Sequence, residues 1–285
     1  MMGLITRRRF LQLMLGTASA AVVPGTYVHW IEPRWVEYVP VDMPLRHLPP
    51  RLQGLTLVQL SDLHIGNRFD WEYIVRTLEH TRRLQPDFVV YTGDFITYES
   101  AEQLDQLATV MQHAPLGRLG TAAILGSHDY GPNWSNPRIA EQVVRCLDGV
   151  GITVLRNEVG LFAGLQIAGA DDWWGTNFDL EAVTSGLGPG LPTIVLSHNP
   201  DTVDLPLWAG YRGWILSGHT HGGQVRLPGQ SPLLLPVRNK RYTAGRFDLS
   251  DGRHLYINRA VGCLWPVRFN VRPEVTIFSL RAAAG

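Results

Sequence analysis

Five apolar runs in this chain of 285 residues each end in a loop that carries aspartate, histidine or both. Short apolar runs bounded by glycine or proline are typical of buried strands, and several of the stretches between them have the spacing of amphipathic helices. Strands that alternate with helices predict an α/β fold whose ligand site lies at the carboxyl ends of the strands. The metal-type residues that follow the five runs are Asp62, His64, Asp94, His128, His198, His219 and His221.

The last of these loops, Gly218–Gln224, contains two histidines separated by one threonine. On an extended backbone such side chains project to the same side, with alpha carbons about 6.5 Å apart. That spacing suits two metal ions about 3.5–4 Å from each other. Taken alone, such a pair is as typical of ordinary surface or core histidines as it is of a metal site. The matching residues after the other four runs favour a shared metal site.

These loops together resemble the signature of the calcineurin-like metallophosphoesterases. The motifs that carry the resemblance are Asp62-Leu-His64, Gly93-Asp94, Gly126-Ser-His-Asp129, His198 and Gly218-His-Thr-His221. The resemblance runs from about Leu55 to Leu280. A bacterial branch that is membrane-associated or exported by the twin-arginine route is similar at residues 218–224 and at the Arg-Phe-Asn-x-Arg-Pro-Glu segment, residues 268–274. The resemblance implies an α/β fold arranged as a four-layer α/β/β/α sandwich.

The resemblance also implies a role for each residue of the site. One metal ion would be held by Asp62, His64 and His221, and a second by His198 and His219, with Asp94 bridging the two. Carboxylate and imidazole ligands without thiolate suit manganese, iron or zinc. His128 would be the catalytic residue, which stabilises developing charge or protonates the leaving oxygen. Asp129 would orient His128 from behind, or be a solvated loop acid.

Ser127 departs from the family pattern, which has asparagine at this position. A serine hydroxyl is shorter than an amide and is a weaker metal ligand. We consider three alternatives: an active enzyme with Ser127 or water at this position and altered metal preference, an enzyme that works with one metal, and a non-catalytic module that binds metal or phosphate. The presence of the other six ligands favours an enzyme, a binuclear metallophosphoesterase.

Composition bears on the partners. The 25 basic and 25 acidic residues balance, whereas nucleic-acid binders usually show a basic excess, so we expect no nucleic-acid partner. The two cysteines, Cys146 and Cys263, have no metal-binding spacing. They could form a disulfide after export or remain two buried free thiols.

The amino-terminal segment, residues 1–28, is predicted to be an export signal or a membrane anchor. Thr6-Arg-Arg-Arg-Phe-Leu-Gln12 resembles a twin-arginine signal and precedes an apolar run, with a candidate cleavage site at Ala18-Ser-Ala20. We therefore expect the twin-arginine translocase as a partner and a periplasmic, extracytoplasmic or outward-facing membrane-anchored location. Residues 29–50 are rich in proline and predict a linker, as a stalk or an edge strand leading into the domain at residues 51–285.

The motifs imply hydrolysis of phosphoric esters but leave the substrate open among monoesters, diesters and pyrophosphates. An envelope or lipid-linked phosphate fits the predicted export. An activity like that of UDP-2,3-diacylglucosamine pyrophosphohydrolase is the alternative, although that substrate is made on the cytoplasmic side. Trp173 and Trp174 could contact a sugar or an acyl chain, or simply pack in the core. Residues 233–235 could dip into a membrane beside Arg238, Lys240 and Arg241, or form a packed loop.

Overall fold

A computed structural model describes residues 25–283 of the chain, except Asn67 and Leu233. The predicted signal or anchor therefore lies outside the described residues, apart from its last four positions. Within the described part, no helix combines the length and apolar character needed to cross a membrane.

The described residues form four α-helices and twelve strands, with short 3₁₀ turns between them. The helices are α1 (Trp71–Arg83), α2 (Glu102–Met111), α3 (Pro137–Asp148) and α4 (Leu180–Ser185). The first six strands are β1 (Glu37–Leu45), β2 (Thr56–Leu60), β3 (Phe88–Thr92), β4 (Gly120–Ile124), β5 (Thr153–Val154) and β6 (Glu158–Phe162). The remaining strands are β7 (Leu165–Gly169), β8 (Thr193–Leu196), β9 (Trp214–Ser217), β10 (Gly245–Asp248), β11 (His254–Ile257) and β12 (Glu274–Ala282).

The strands build two six-stranded sheets with a parallel centre. The first sheet has the order β1-β12-β2-β3-β4-β5, and the second has the order β10-β11-β9-β8-β7-β6. Strands β2 to β5 are parallel to one another, as are β7, β8, β9 and β11. The carboxyl ends of the parallel strands therefore meet at one edge of each sheet.

Helix ends follow local chemistry. The Asp70 side chain accepts a hydrogen bond from the backbone N–H of Tyr73 and caps α1. The Asn136 side chain caps α3, and Pro137 occupies its first turn.

Alternation of side chains along the strands produces four layers. In β2 and β3, Val58 and Val89 pack against the helices α1 to α3, whereas Leu57 and Phe88 face the second sheet. In the second sheet, Ile194 and its same-side neighbours face inward. The next residue along β8 and β9 faces the opposite layer, which contains α4. The helix–sheet–sheet–helix order confirms the predicted α/β/β/α sandwich.

The proline-rich segment 29–50 is not a linker. Its residues 37–45 form β1, which pairs in parallel with β12 from Glu37 opposite Glu274 to Leu45 opposite Ala282. Met43 and Leu45 are buried between the sheets. Proline is tolerated here because an edge strand leaves one side of its backbone unpaired. Of the two forms considered for this segment, the structure contains the edge strand, and the sheet begins before residue 51.

Both cysteines are free. Cys263 is buried, Cys146 is half-buried, and both contribute to the core between the first sheet and its helices. The disulfide considered from the sequence does not form in this structure.

Candidate metal centre

Six ligand-type side chains converge where the strands of both sheets end. They form two groups, and in each group one ligand atom from every member lies within 4.8 Å of the others. All six are buried. The first group contains Asp62, His64 and His221, and the second contains Asp94, His198 and His219.

Asp94 lies between the two groups. Its Oδ2 is 3.2 Å from Nε2 of His198 and 3.7 Å from Nε2 of His64. Within the first group, Nε2 of His221 is 3.3 Å from Oδ1 of Asp62. The structure thus brings together all six predicted ligands and places Asp94 where a bridging ligand would be. Ligation itself stays a prediction.

Three of the four imidazoles are oriented by a hydrogen bond at the nitrogen that faces away from the group. Those contacts are His64 Nδ1 with Thr97 Oγ1 at 3.0 Å, His198 Nδ1 with the Thr92 carbonyl at 2.7 Å, and His219 Nε2 with the Pro236 carbonyl at 2.8 Å. A ring that donates one N–H to a carbonyl keeps the lone pair of its other nitrogen free. Fixing ring and tautomer in this way is typical of histidines that bind metal ions.

The backbone is strained at most of these positions. Positive φ angles, between 47° and 70°, occur at Asp62, His64, Asp94, His219 and His221. Residues other than glycine avoid this region, and each such residue costs about 1 kcal/mol or more. Five strained residues among six ligands mark a site where the fold holds side chains in place against local preference.

Two glycines allow the carboxylates of Asp94 and Asp62 to lie directly against the backbone. A Cβ at Gly126 would lie 2.3 Å from Oδ1 of Asp94, and one at Gly218 would lie 2.2 Å from Oδ2 of Asp62. Both distances are far inside van der Waals contact. These glycines are therefore required by the position of the acids.

The electrostatics favour the ligand forms of most of these groups. Burial raises the pKa of the Asp62 carboxyl, but the charge and hydrogen bond of His221 outweigh it and bring the pKa to about 2. Burial, reinforced by His198, lowers the pKa of His219 to about 3. Burial and His221 likewise lower the pKa of His64. For His198, burial lowers the pKa, but the Asp94 carboxylate outweighs burial and raises the pKa above its usual value. Binding of a metal cation at His198 therefore requires loss of a proton.

His128 lies beside the two groups and belongs to neither. Its ring meets His64 edge-on, with centroids 5.0 Å apart, and it lines the cavity above the site. Its backbone N–H donates to Oδ1 of Asp94 at 2.9 Å. The position suits a group that acts on a bound ester.

Asp129 holds the loops together, and of the two roles considered for it the solvated loop acid is wrong. Its carboxylate is fully buried, so it is not a solvated loop acid. It accepts hydrogen bonds from the backbone N–H groups of Phe95, Ile96 and Gly126, at 2.8, 3.2 and 2.9 Å. Burial, with the Asp94 carboxylate, raises its pKa to about 8. Asp129 therefore fixes the backbone that carries Asp94 and His128. Within the described part of the chain, its carboxylate makes no hydrogen bond to the His128 ring.

Ser127 is buried beside His128, and its Oγ has no hydrogen-bond partner within the described part of the chain. The same holds for Nδ1 of His221. Two carboxylates, four imidazoles and a nearby free hydroxyl form a donor set without thiolate, which fits divalent manganese, iron or zinc. The residues present therefore fit the predicted metal ions.

An apolar cavity of about 610 Å³ opens above the centre. Of the two predicted contact residues, Trp174 lines it and meets the His219 ring edge-on at 4.5 Å. Trp173 lies instead under the guanidinium of Arg238, 4.8 Å from its ring centroid, and is not among the lining residues.

Sequence reasoning missed several residues that line the cavity, among them Trp134, Trp265 and Leu264. Trp134 stacks on Trp174 with centroids 4.9 Å apart, and Trp265 comes from the loop before the carboxyl-terminal motif. Leu234, from the loop that the sequence singled out, also lines the cavity. The tryptophans carry no spacing that marks them, and only the fold brings them together.

Known proteins resemble this chain over nearly its full length. Residues 55–223 match the model of the calcineurin-like phosphoesterase family. The chain is 33% identical to the uncharacterized metallophosphoesterase YkuE of Bacillus subtilis, with 98% of each chain covered. It is 30% identical to phosphodiesterase YaeI of Escherichia coli, covering 97% of this chain and all of the relative. The UDP-2,3-diacylglucosamine pyrophosphatase LpxG of Chlamydia trachomatis is 27% identical, with 91% of this chain and 93% of the relative covered.

Proposed function

This chain belongs to the calcineurin-like phosphoesterase family and is a hydrolase acting on phosphoester bonds, and on that premise we propose that it cleaves an envelope or lipid-linked phosphate with two divalent metal ions. One observation carries the proposal: two buried ligand groups joined by Asp94 open directly into an apolar cavity. A cavity of that kind fits the apolar part of an amphiphile whose phosphate reaches the ligands.

Each group of residues has a defined part in this proposal. Asp62, His64 and His221 would hold one ion, and Asp94, His198 and His219 would hold the other. When bound, the ions would supply water activated at neutral pH and counter the charge of the phosphoryl oxygens.

His128 supplies the proton chemistry. From the cavity wall, its ring can donate a hydrogen bond to a phosphoryl oxygen or a proton to the leaving oxygen. Its backbone bond to Asp94 fixes the distance between this donor and the ligand groups. The stacked Trp134 and Trp174 form an apolar wall that helps exclude bulk water.

The substrate class can be tested with p-nitrophenyl phosphate diesters whose second ester is an alkyl chain of increasing length. An acyl-binding cavity predicts that kcat/KM rises with each methylene, by up to about fourfold. If the diesters are hydrolysed but kcat/KM does not change with chain length, the lipid-linked substrate is rejected and the hydrolase assignment is unaffected. No turnover of any diester in the presence of manganese, iron or zinc would count against metal-dependent diester cleavage.

UDP-2,3-diacylglucosamine is a second candidate substrate, since a relative bears the name of that pyrophosphatase. Direct assay for release of UMP from this compound separates it from simple lipid phosphodiesters. Family membership supports an active enzyme rather than the non-catalytic module that was considered because of Ser127.

We also infer export to the outer side of the cytoplasmic membrane by the twin-arginine route, supported by the resemblance at Thr6–Gln12. Replacing Arg7 and Arg8 with lysine should retain the protein in the cytoplasm, as cell fractionation would show. Unchanged export of this variant would reject the twin-arginine translocase as a partner.

A further inference from the structure

Exposed apolar side chains concentrate at the mouth of the cavity. Among the described residues, the four most exposed large apolar side chains are Leu234 (80%), Trp265 (65%), Leu161 (64%) and Trp30 (60%). The first two line the cavity. Trp30 lies on the adjoining segment, where the Val28 carbonyl accepts a hydrogen bond from the backbone N–H of Arg268. Soluble proteins seldom expose large apolar side chains together unless the patch contacts a partner.

Cations border the same rim. The guanidinium of Arg68 lies over the Trp265 ring, 5.4 Å from its centroid. Four more basic residues flank the loop that carries Leu234, and all four are exposed. None of the four forms an ion pair with a carboxylate within the described part of the chain. They are Arg226, Arg238, Lys240 and Arg241.

This clustering of charge is local. The whole chain is neutral, whereas residues 226–241 contain four basic side chains and no acidic one. Cations without a carboxylate partner around the exposed Leu234, together with the exposed Trp265 at the same cavity, form the combination that binds the interface of an anionic membrane. There the rings enter the headgroup region and the cations meet lipid phosphates.

We propose that the rim formed by Leu234, Trp265 and the flanking cations docks onto the surface of an anionic phospholipid bilayer. The inference rests on the proposed function, because a docked rim lets an amphiphile pass from the bilayer into the cavity without exposing its apolar chain to water. It adds a partner, the bilayer itself, and the face that contacts it.

The test uses the full chain with Cys146 replaced by serine, since Cys263 is fully buried. Single cysteines for an environment-sensitive fluorophore are introduced by Leu234→Cys, Trp265→Cys and, as the control, Leu161→Cys. Leu161 is as exposed as Trp265 but pairs with Gln166 at the start of β7, at the opposite end of the sheet from the metal centre. Vesicles contain either phosphatidylcholine alone or phosphatidylcholine with phosphatidylglycerol.

We expect emission at positions 234 and 265 to rise severalfold and shift to shorter wavelength with the anionic vesicles, and emission at 161 to stay unchanged. Each replacement of Arg226, Arg238, Lys240 or Arg241 with glutamine should weaken vesicle binding about fivefold. An equal response at all three positions would overturn the proposal, because it would show attachment without a preferred face. A fluorescence response of equal size with neutral and anionic vesicles would also overturn the proposal.

A response at position 234 that grows with protein concentration and needs no vesicles would overturn it as well, by showing that a second copy of the chain covers the rim. Turnover of soluble bis(p-nitrophenyl) phosphate is measured on the unlabelled Cys146→Ser protein, in which the cavity residues are unchanged. Hydrolysis without any vesicle response would reject the docking face alone, whereas docking without hydrolysis would reject the proposed function alone.

Discussion

The backbone N–H of His128 donates to Oδ1 of Asp94 at 2.9 Å, while Oδ2 of the same carboxylate faces His198 at 3.2 Å. One carboxylate therefore connects the loop that carries the proposed proton donor with the ligand groups. The His128 ring itself lies outside both groups. This geometry separates metal binding from proton transfer, and the two can be tested apart.

Replacing His128 with alanine should lower kcat by about 100- to 10,000-fold, the usual contribution of a positioned acid or base. Metal content should stay the same, because the ring is not a member of either ligand group. Elemental analysis beside steady-state kinetics checks both statements. Loss of metal in this variant would show that His128 is a ligand.

Replacing Asp129 with alanine should lower the free energy of unfolding by about 3 kcal/mol. The change leaves three buried backbone N–H groups without their acceptor, at about 1 kcal/mol or more each. Denaturant unfolding gives the value. The control is Asp148→Ala at the exposed end of α3, which should change stability by less than about 0.5 kcal/mol. Equal effects of the two changes would contradict the role assigned to Asp129.

Replacing Ser127 with asparagine should lower the metal concentration needed for half-maximal activity by about tenfold, equivalent to about 1.4 kcal/mol of added binding. The reason is that an amide oxygen reaches farther than the buried hydroxyl, which has no hydrogen-bond partner within the described chain. Ser127→Ala serves as the comparison. If alanine and serine behave alike and asparagine changes nothing, the side chain at this position does not influence metal binding.

The main strands and the ligand set could be predicted because both depend on local patterns. Two of the apolar runs, residues 55–60 and 193–196, end where the structure ends β2 and β8. Carboxyl ends of parallel strands necessarily share an edge, so the ligands that follow them meet. The edge strand β1 was harder to identify, because its proline residues mask it and its partner β12 lies about 240 residues away.

The direction of individual side chains could not be read from the sequence. Asp129 follows His128 directly, yet its carboxylate turns away to bind the backbone of another loop. Trp174 reaches the cavity, whereas its neighbour Trp173 packs under Arg238. Both outcomes depend on contacts between segments that are distant in sequence, which strand and helix periodicity does not encode.

Removing metal ions should destabilise the protein. An ion that binds only the folded state adds about 2.7 kcal/mol at a free concentration 100 times its Kd. Unfolding monitored with manganese and then with a chelator should show this difference for each bound ion. His221→Ala should reduce the difference, whereas His113→Ala, which changes a surface pair with Glu79, should preserve it. A chelator that leaves stability unchanged would argue against resident metal ions.

Gly126→Ala should abolish most activity and metal binding through a single added methyl group. The φ angle of Gly126 is −109°, which any residue can adopt, so backbone strain does not enter. The new Cβ would instead lie 2.3 Å from Oδ1 and 2.6 Å from the backbone nitrogen of Asp94. Hydrogen bonds from Gly126 to Asp129 and from His128 to Asp94 hold the Gly126 loop against Asp94, so we expect the clash to displace Asp94 from His198.

The matched control is Gly149→Ala at the end of α3, where the nearest atom to the added Cβ is 3.2 Å away and the backbone is helical. This variant should keep its metal content and its turnover. Metal analysis and kinetics of the two variants decide the matter. If Gly126→Ala retained both metal ions and full activity, Asp94 could not occupy the bridging position, and the proposed two-metal site would need a different ligand between its halves.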